Sequence, residues 1–195
     1  MNVDKARDET FEMSEQVWKD AEQWQRGIHN GQAIMRQIRA IYLKLFTAEN
    51  KLNNADSRKG LQSTEKRLNH LYQRLQRPLA TIGNILKALT GIRDNTARML
   101  NRLTLFMDDE TLAKHRIRPK LESSKLLMML QFLSHRYDTE WEVKEMVVND
   151  LERISNSYDL DLSIQCWSTC SHAGGPEFAK LMREYYQIID RRQPF

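Results

Sequence analysis

Apolar residues recur along this chain in alternating steps of three and four. Over 68–106 they fall at Leu68, Leu71, Leu75, Pro78, Ile82, Ile85, Leu89, Ile92, Thr96, Met99, Leu103 and Phe106, where only Pro78 and Thr96 lack a large apolar side chain. That spacing sets a single seam along a helix, the a/d pattern of a coiled coil. Tyr72, Leu79, Leu86 and Leu100 each follow a seam position by one and widen the stripe toward a bundle-type face. A second stripe, Val17, Ala21, Trp24, Ile28, Gly31, Met35, Ile38, Tyr42 and Leu45, predicts an earlier helix over 11–51, flanked by Trp18, Ile34 and Ile41. Gly27, Asn30 and Gly31 weaken its middle, each glycine by about 1 kcal/mol relative to alanine, so the pattern predicts fraying or a bend there.

The polar, turn-forming stretch 53–60 breaks both stripes and reads as the loop joining two long helices, with Ser63 ahead of Thr64 and Glu65 as the N-cap of the second. Pro78 removes a backbone donor and predicts a kink or short break near 74–77. Two matching stripes joined by one loop make an antiparallel hairpin. A hairpin this long covers one face of each member and leaves Leu79, Leu86 and Leu100 to another chain. Residues 107–122 read as a linker, holding an acidic triplet at 108–110 and a basic cluster at 114–120. A third helix is predicted from Ser123 or Ser124 to about 154, with Leu126, Leu127, Leu130, Leu133, Tyr137, Trp141, Val148 and Leu151 on one broad face. A short fourth helix, capped by Asp159 or Asp161, carries Leu160, Leu162, Ile164 and Trp167. A last one begins at Pro176, a favoured first helical position. The fold expected is all-α: a coiled-coil-like hairpin over 1–106, the linker, and a small helical subdomain over 123–195.

Composition agrees, since seven glycines and four prolines in 195 residues leave few breakers. No apolar run approaches the roughly 20 residues of a membrane span. The acidic start at Asp4, Asp8 and Glu9 is unlike a signal peptide, and two cysteines point to a reducing compartment. The net charge of +4 conceals a segregation. Residues 51–105 carry eleven basic side chains against Asp56, Glu65 and Asp94, while 1–25 and 137–162 are acidic. Oppositely charged helices side by side explain this; a nucleic-acid-binding stripe would require the basic face to stay uncovered.

Candidate chemistry is sparse. Cys166, Cys170 and His172 are the one metal-like constellation and lack a fourth ligand at useful spacing. The acidic triplet reads as a helix cap, and the cluster 114–120 as a solvated loop or a phosphate contact. Neither a phosphate loop nor a nucleophile elbow is present. The chain therefore reads as non-enzymatic, without cofactor or metal.

The run 137–151 (YDTEWEVKEMVVNDL), followed by 163–167 (SIQCW), carries Tyr137, Glu140, Lys144, Val147, Leu151 and Trp167 at ungapped spacing. In these positions the chain resembles the cyclin-dependent kinase 2-interacting proteins, a likeness covering roughly a third of its length. The long heptad helix and the tryptophan-bearing first helix fit that family in pattern alone. Trp141 and Val143 stand where the family has leucines, and 155–157 lacks its Gly-Asp-Pro-like turn.

The resemblance implies a nuclear adaptor, with the cytoplasm as a second location, that links cell-cycle kinase, replication and checkpoint factors. It further implies an assembly containing AAA-type ATPase subunits and a second small coiled-coil subunit, acting in replisome turnover and large-ribosomal-subunit maturation. No Ser-Pro or Thr-Pro occurs, so association with a proline-directed kinase would rest on docking. On this reading the partner-binding residues are Leu71, Leu75, Leu79, Ile82, Leu86, Leu89, Ile92, Leu100 and Leu103 of the seam, with Tyr137, Glu140, Lys144 and Trp167, of which Trp167 serves equally well as a core plug. The other readings are a helical nucleic-acid-binding protein using the 51–105 face and a coiled-coil subunit of a cytoskeletal complex.

Overall fold

The computed structural model describes residues 3–54 and 57–192. It is an all-α protein whose two long helices, α1 (Val3–Asn53) and α2 (Arg58–Phe106), pack against each other. The short α3 (Glu110–Ala113) and a two-stranded antiparallel ladder, β1 (Arg116–Arg118) and β2 (Leu121–Glu122), come next. They are followed by α4 (Ser123–Asp150), a 3-10 turn (Leu151–Arg153), α5 (Ser157–Ser168) and α6 (Pro176–Ile188).

The chain forms two compact units: Met1–Arg26 with Leu89–Glu142 and Cys170–Phe195, and Gly27–Ala88 with Val143–Thr169. α1, α2 and α4 each contribute a part to both. The units therefore do not follow the boundaries at 106 and 123 expected from the sequence. The residues expected to form a separate C-terminal subdomain share each unit with part of the hairpin, because the apolar face of α4 and the hairpin stripes satisfy one another.

In the first unit, Arg102 donates to Glu9 at 2.9 Å and Asn95 to Asp20 at 2.9 Å, which fixes α1 and α2 as antiparallel. Trp24 meets Tyr137 with ring centroids 4.5 Å apart, and Tyr137 meets Phe178 edge-on at 6.0 Å. The Tyr185 hydroxyl donates to the Ser14 carbonyl at 2.7 Å, tying α6 to α1. The expected linker is built structure. Asp109 caps α3 by accepting from the backbone N–H groups of Thr111 and Leu112 at 2.9 and 3.2 Å, and Leu112, Ile117 and Leu121 are buried. Gly175 is the N-cap of α6, with Pro176 as its first residue.

In the second unit, Tyr72 of α2 donates to Glu49 of α1 at 2.7 Å, continuing the antiparallel sense. Of the expected interhelical loop, Ala55 and Asp56 lie outside the described residues. Ser57, rather than Ser63, opens α2, its hydroxyl accepting from the Gly60 N–H at 3.2 Å. The helix runs unbroken through Pro78, where a kink was expected. Proline removes one ladder bond, to the Arg74 carbonyl, while Leu75, Pro78 and Ile82 are all buried and hold the helix by packing. α1 is likewise continuous across Gly27–Gly31. α5 is capped by Asn156, whose side chain accepts from the Asp159 N–H at 2.9 Å; Asp161 instead pairs with Arg39 of α1 at 2.8 Å.

Every position of the α1 stripe is buried, and every seam position of α2 except Ile85.

Candidate functional site

The residues expected to bind partners are mostly interior. Leu71, Leu75, Ile82, Leu89, Ile92 and Leu103 are buried by this chain's own helices and not held open for a second subunit. Leu79, Leu86 and Leu100, one position off the seam, are half-buried. Their burial has a simple cause. Each unit brings α1, α2 and α4 together, so the hairpin stripe has a third covering helix within the molecule.

Tyr137, Glu140, Lys144 and Trp167 are fully buried as well, as are Val147 and Leu151. All six residues carrying the family resemblance thus build the interior. In the first unit, Glu140 accepts from the backbone N–H groups of His172 and Ala173 at 2.8 and 3.1 Å and so fixes the approach to α6. In the second, the Lys144 ammonium donates to the carbonyls of Cys166 and Thr169 at 2.9 and 3.0 Å, closing the C-terminal end of α5 where carbonyls lack helical partners. The Trp167 indole lies against Gly31, where a Cβ would overlap the ring, and its N–H donates to the Ile28 carbonyl at 3.2 Å. Trp167 therefore plugs the core in this fold.

Tyr137 shows the same enclosure. Burial, then the nearby Asp20 and Tyr186, push its phenol far above the usual range, so it stays a neutral hydroxyl, and it has no hydrogen-bond partner among the described residues. Removing a buried, unpartnered hydroxyl is neutral or favourable. Tyr137→Phe is therefore expected to leave stability unchanged or raise it by up to about 1 kcal/mol in chemical denaturation.

Charge is distributed unequally. In the first unit many of the basic side chains find carboxylates. Arg102 pairs with Glu9, Arg93 with Asp94, Lys114 with Glu110, Lys120 with Asp190, and Arg118 with Glu15. The 114–120 cluster is thus engaged within the fold. In the second unit Lys44, Lys66, Arg67, Arg74, Arg77 and Lys87 form no ion pair with a described residue.

Two of the open surfaces among the described residues have an apolar lining with charged residues beside it. In the first unit, Met128, Met129 and Phe132 of α4 face Leu181, Tyr185 and Ile188 of α6 across an apolar cleft of about 320 Å³, with Lys125 and Glu184 at its edges. Met128 is 68% exposed. The sequence held a signal for it: five consecutive apolar residues, 126–130, cannot all face one core on a helix. In the second unit, Ile34, Ala40, Ile41 and Lys44 of α1 and Arg74, Arg77, Pro78 and Thr81 of α2 line a groove of about 830 Å³.

Cys166 and Cys170 are free and half-buried, and no group of three or more His, Cys, Asp or Glu among the described residues is arranged to hold a metal. No helix among the described residues is long and apolar enough to cross a membrane. Neither a protein-family model nor a curated protein sequence matches the chain.

Proposed function

We propose that this protein is a non-enzymatic helical adaptor of the kind the cyclin-dependent kinase 2-interacting proteins exemplify. In this role it joins cell-cycle kinase, replication and checkpoint factors in the nucleus, within an assembly that contains AAA-type ATPase subunits. The observation that carries the reading is the apolar cleft between α4 and α6, where Met128 stands out of the fold beside Phe132, Leu181 and Ile188. Exposed, clustered apolar side chains with a charged rim suit a partner polypeptide. Methionine adapts to irregular partner surfaces. The resemblance residues support the reading differently: they build the interior, so they speak for a shared fold that presents such surfaces.

Met128→Lys tests it. Its side chain is exposed, so the melting temperature should stay within about 2 °C, as surface changes shift stability by under ~0.5 kcal/mol. Recovery of ATPase or kinase companions in a tagged pull-down should fall at least about tenfold, the effect of losing a contact worth 1.4 kcal/mol. Unchanged recovery, or a wild-type protein that brings down no companion, overturns the proposal. The second reading, nucleic-acid binding, is favoured by the cations of the second unit that form no ion pair with a described residue; it requires a gel shift that weakens steeply with salt.

A further inference from the structure

We propose that the α1–α2 groove of the second unit is the docking site for an acidic amphipathic helix of a partner protein. The inference rests on the adaptor reading and deepens it by naming the chemistry of one partner.

The groove has two banks and a floor. Ile34, Gln37, Ile41 and Lys44 recur on α1 in steps of three and four, as do Arg74, Arg77 and Thr81 on α2. Each helix thus lends one continuous flank, and the groove follows their axes. Ile34 is half-buried while Ile41 and Pro78 are buried, giving an apolar floor. Lys44, Arg74 and Arg77 are exposed, and among the described residues no acidic one lines the groove to neutralise them. A helix laid there would place apolar residues of three-four spacing on the floor and carboxylates toward the three cations, the usual helix-in-groove geometry.

The unit supplies its own precedent. Residues 27–88 hold eleven basic side chains against Glu49, Asp56 and Glu65, and the segment that accompanies them, 143–169, holds five acidic against Lys144 and Arg153. Its helix α5 sits on α1 through Trp167 in the Gly31 notch and Asp161 on Arg39 at 2.8 Å. An acidic helix thus already covers part of this basic hairpin. A nucleic acid fits less well. None of the groove's lining residues is aromatic, so unpaired bases would have nothing to stack on, and an apolar floor offers a phosphate backbone nothing.

The test places a photo-reactive amino acid at Gln37 of the full chain in cells, with the cross-linked material sequenced. Gln37 is exposed in the groove, so the fold should tolerate it. Adducts are expected on protein segments rich in Asp and Glu with apolar residues at three-four spacing. Their yield should fall at least tenfold in R74E/R77E, with the melting temperature unchanged. Adducts on RNA or DNA, on basic or neutral segments, or in yields indifferent to the charge reversal overturn the assignment. An absence of adducts while the companions lost in Met128→Lys are retained overturns the groove assignment alone; a chain with no companions at all overturns the adaptor reading and this one with it.

Discussion

Trp167→Ala is expected to cost about 3–5 kcal/mol, the range for emptying a buried aromatic site, and to lower the melting temperature by roughly 10 °C or more for a chain of this size. Trp167 has no accessible surface, and its indole N–H satisfies the Ile28 carbonyl inside α1. The partner that makes the effect diagnostic is Gly31. In an ordinary helix interior, Gly→Ala stabilises by about 1 kcal/mol. Here the new methyl would overlap the Trp167 ring, so Gly31→Ala alone should destabilise by about 1–3 kcal/mol, the cost of overpacking. In the Trp167→Ala background the clash is gone and the same substitution should become stabilising. The cycle is read by denaturant titration of the four proteins. Additivity, with Gly31→Ala acting alike in both backgrounds, would place Trp167 away from Gly31 and undo this description of the second unit.

That pairing also marks where the sequence stops being legible. The three-four stripes are local signals. They foretell α1, α2 and their antiparallel pairing, now seen in Arg102 on Glu9 and Tyr72 on Glu49, because helical period depends on neighbours along the chain. Gly31 reads locally as a weak point, and its use as a notch depends on a tryptophan more than a hundred positions later. Ser63 carries the stronger local cap signal, ahead of Thr64 and Glu65, whereas Ser57 opens α2 through its contact with the Gly60 N–H. The charge bias of 51–105 was visible, but not its division into Arg93 and Arg102, which find carboxylates in the fold, and Arg74 and Arg77, which line a groove. The apolar cleft is hidden from a reading that gives the third helix one broad face. Met128, in the middle of an apolar run, belongs to another.

Lys144 is the instance where the local reading points in the opposite direction to the structure. Glu140 and Lys144, expected as partner-binding residues, stand one helical turn apart, and such a pair on an exposed helix face is worth a few tenths of a kcal/mol. Both are buried. Lysine is almost never interior unless its charge is met, and here the ammonium meets the carbonyls of Cys166 and Thr169 at the end of α5. Lys144→Met keeps the volume and removes the donor. The two carbonyls at the end of α5 then lose charge-assisted bonds of roughly 1.5–3 kcal/mol each; because Cys166 is half-buried and Thr169 exposed, water replaces part of this and the variant is expected to lose about 2–4 kcal/mol in all. Lys125→Met, at an exposed position of the same helix, should change stability by less than about 0.5 kcal/mol. The loss should also be local before it is global. Amide hydrogen exchange in α5 is expected to accelerate in Lys144→Met under native conditions, while amides around Trp24 and Phe178 in the first unit keep their protection. If Lys144→Met melts like the parent, the ammonium is not what closes α5, and the resemblance at this position must be explained by something other than the fold.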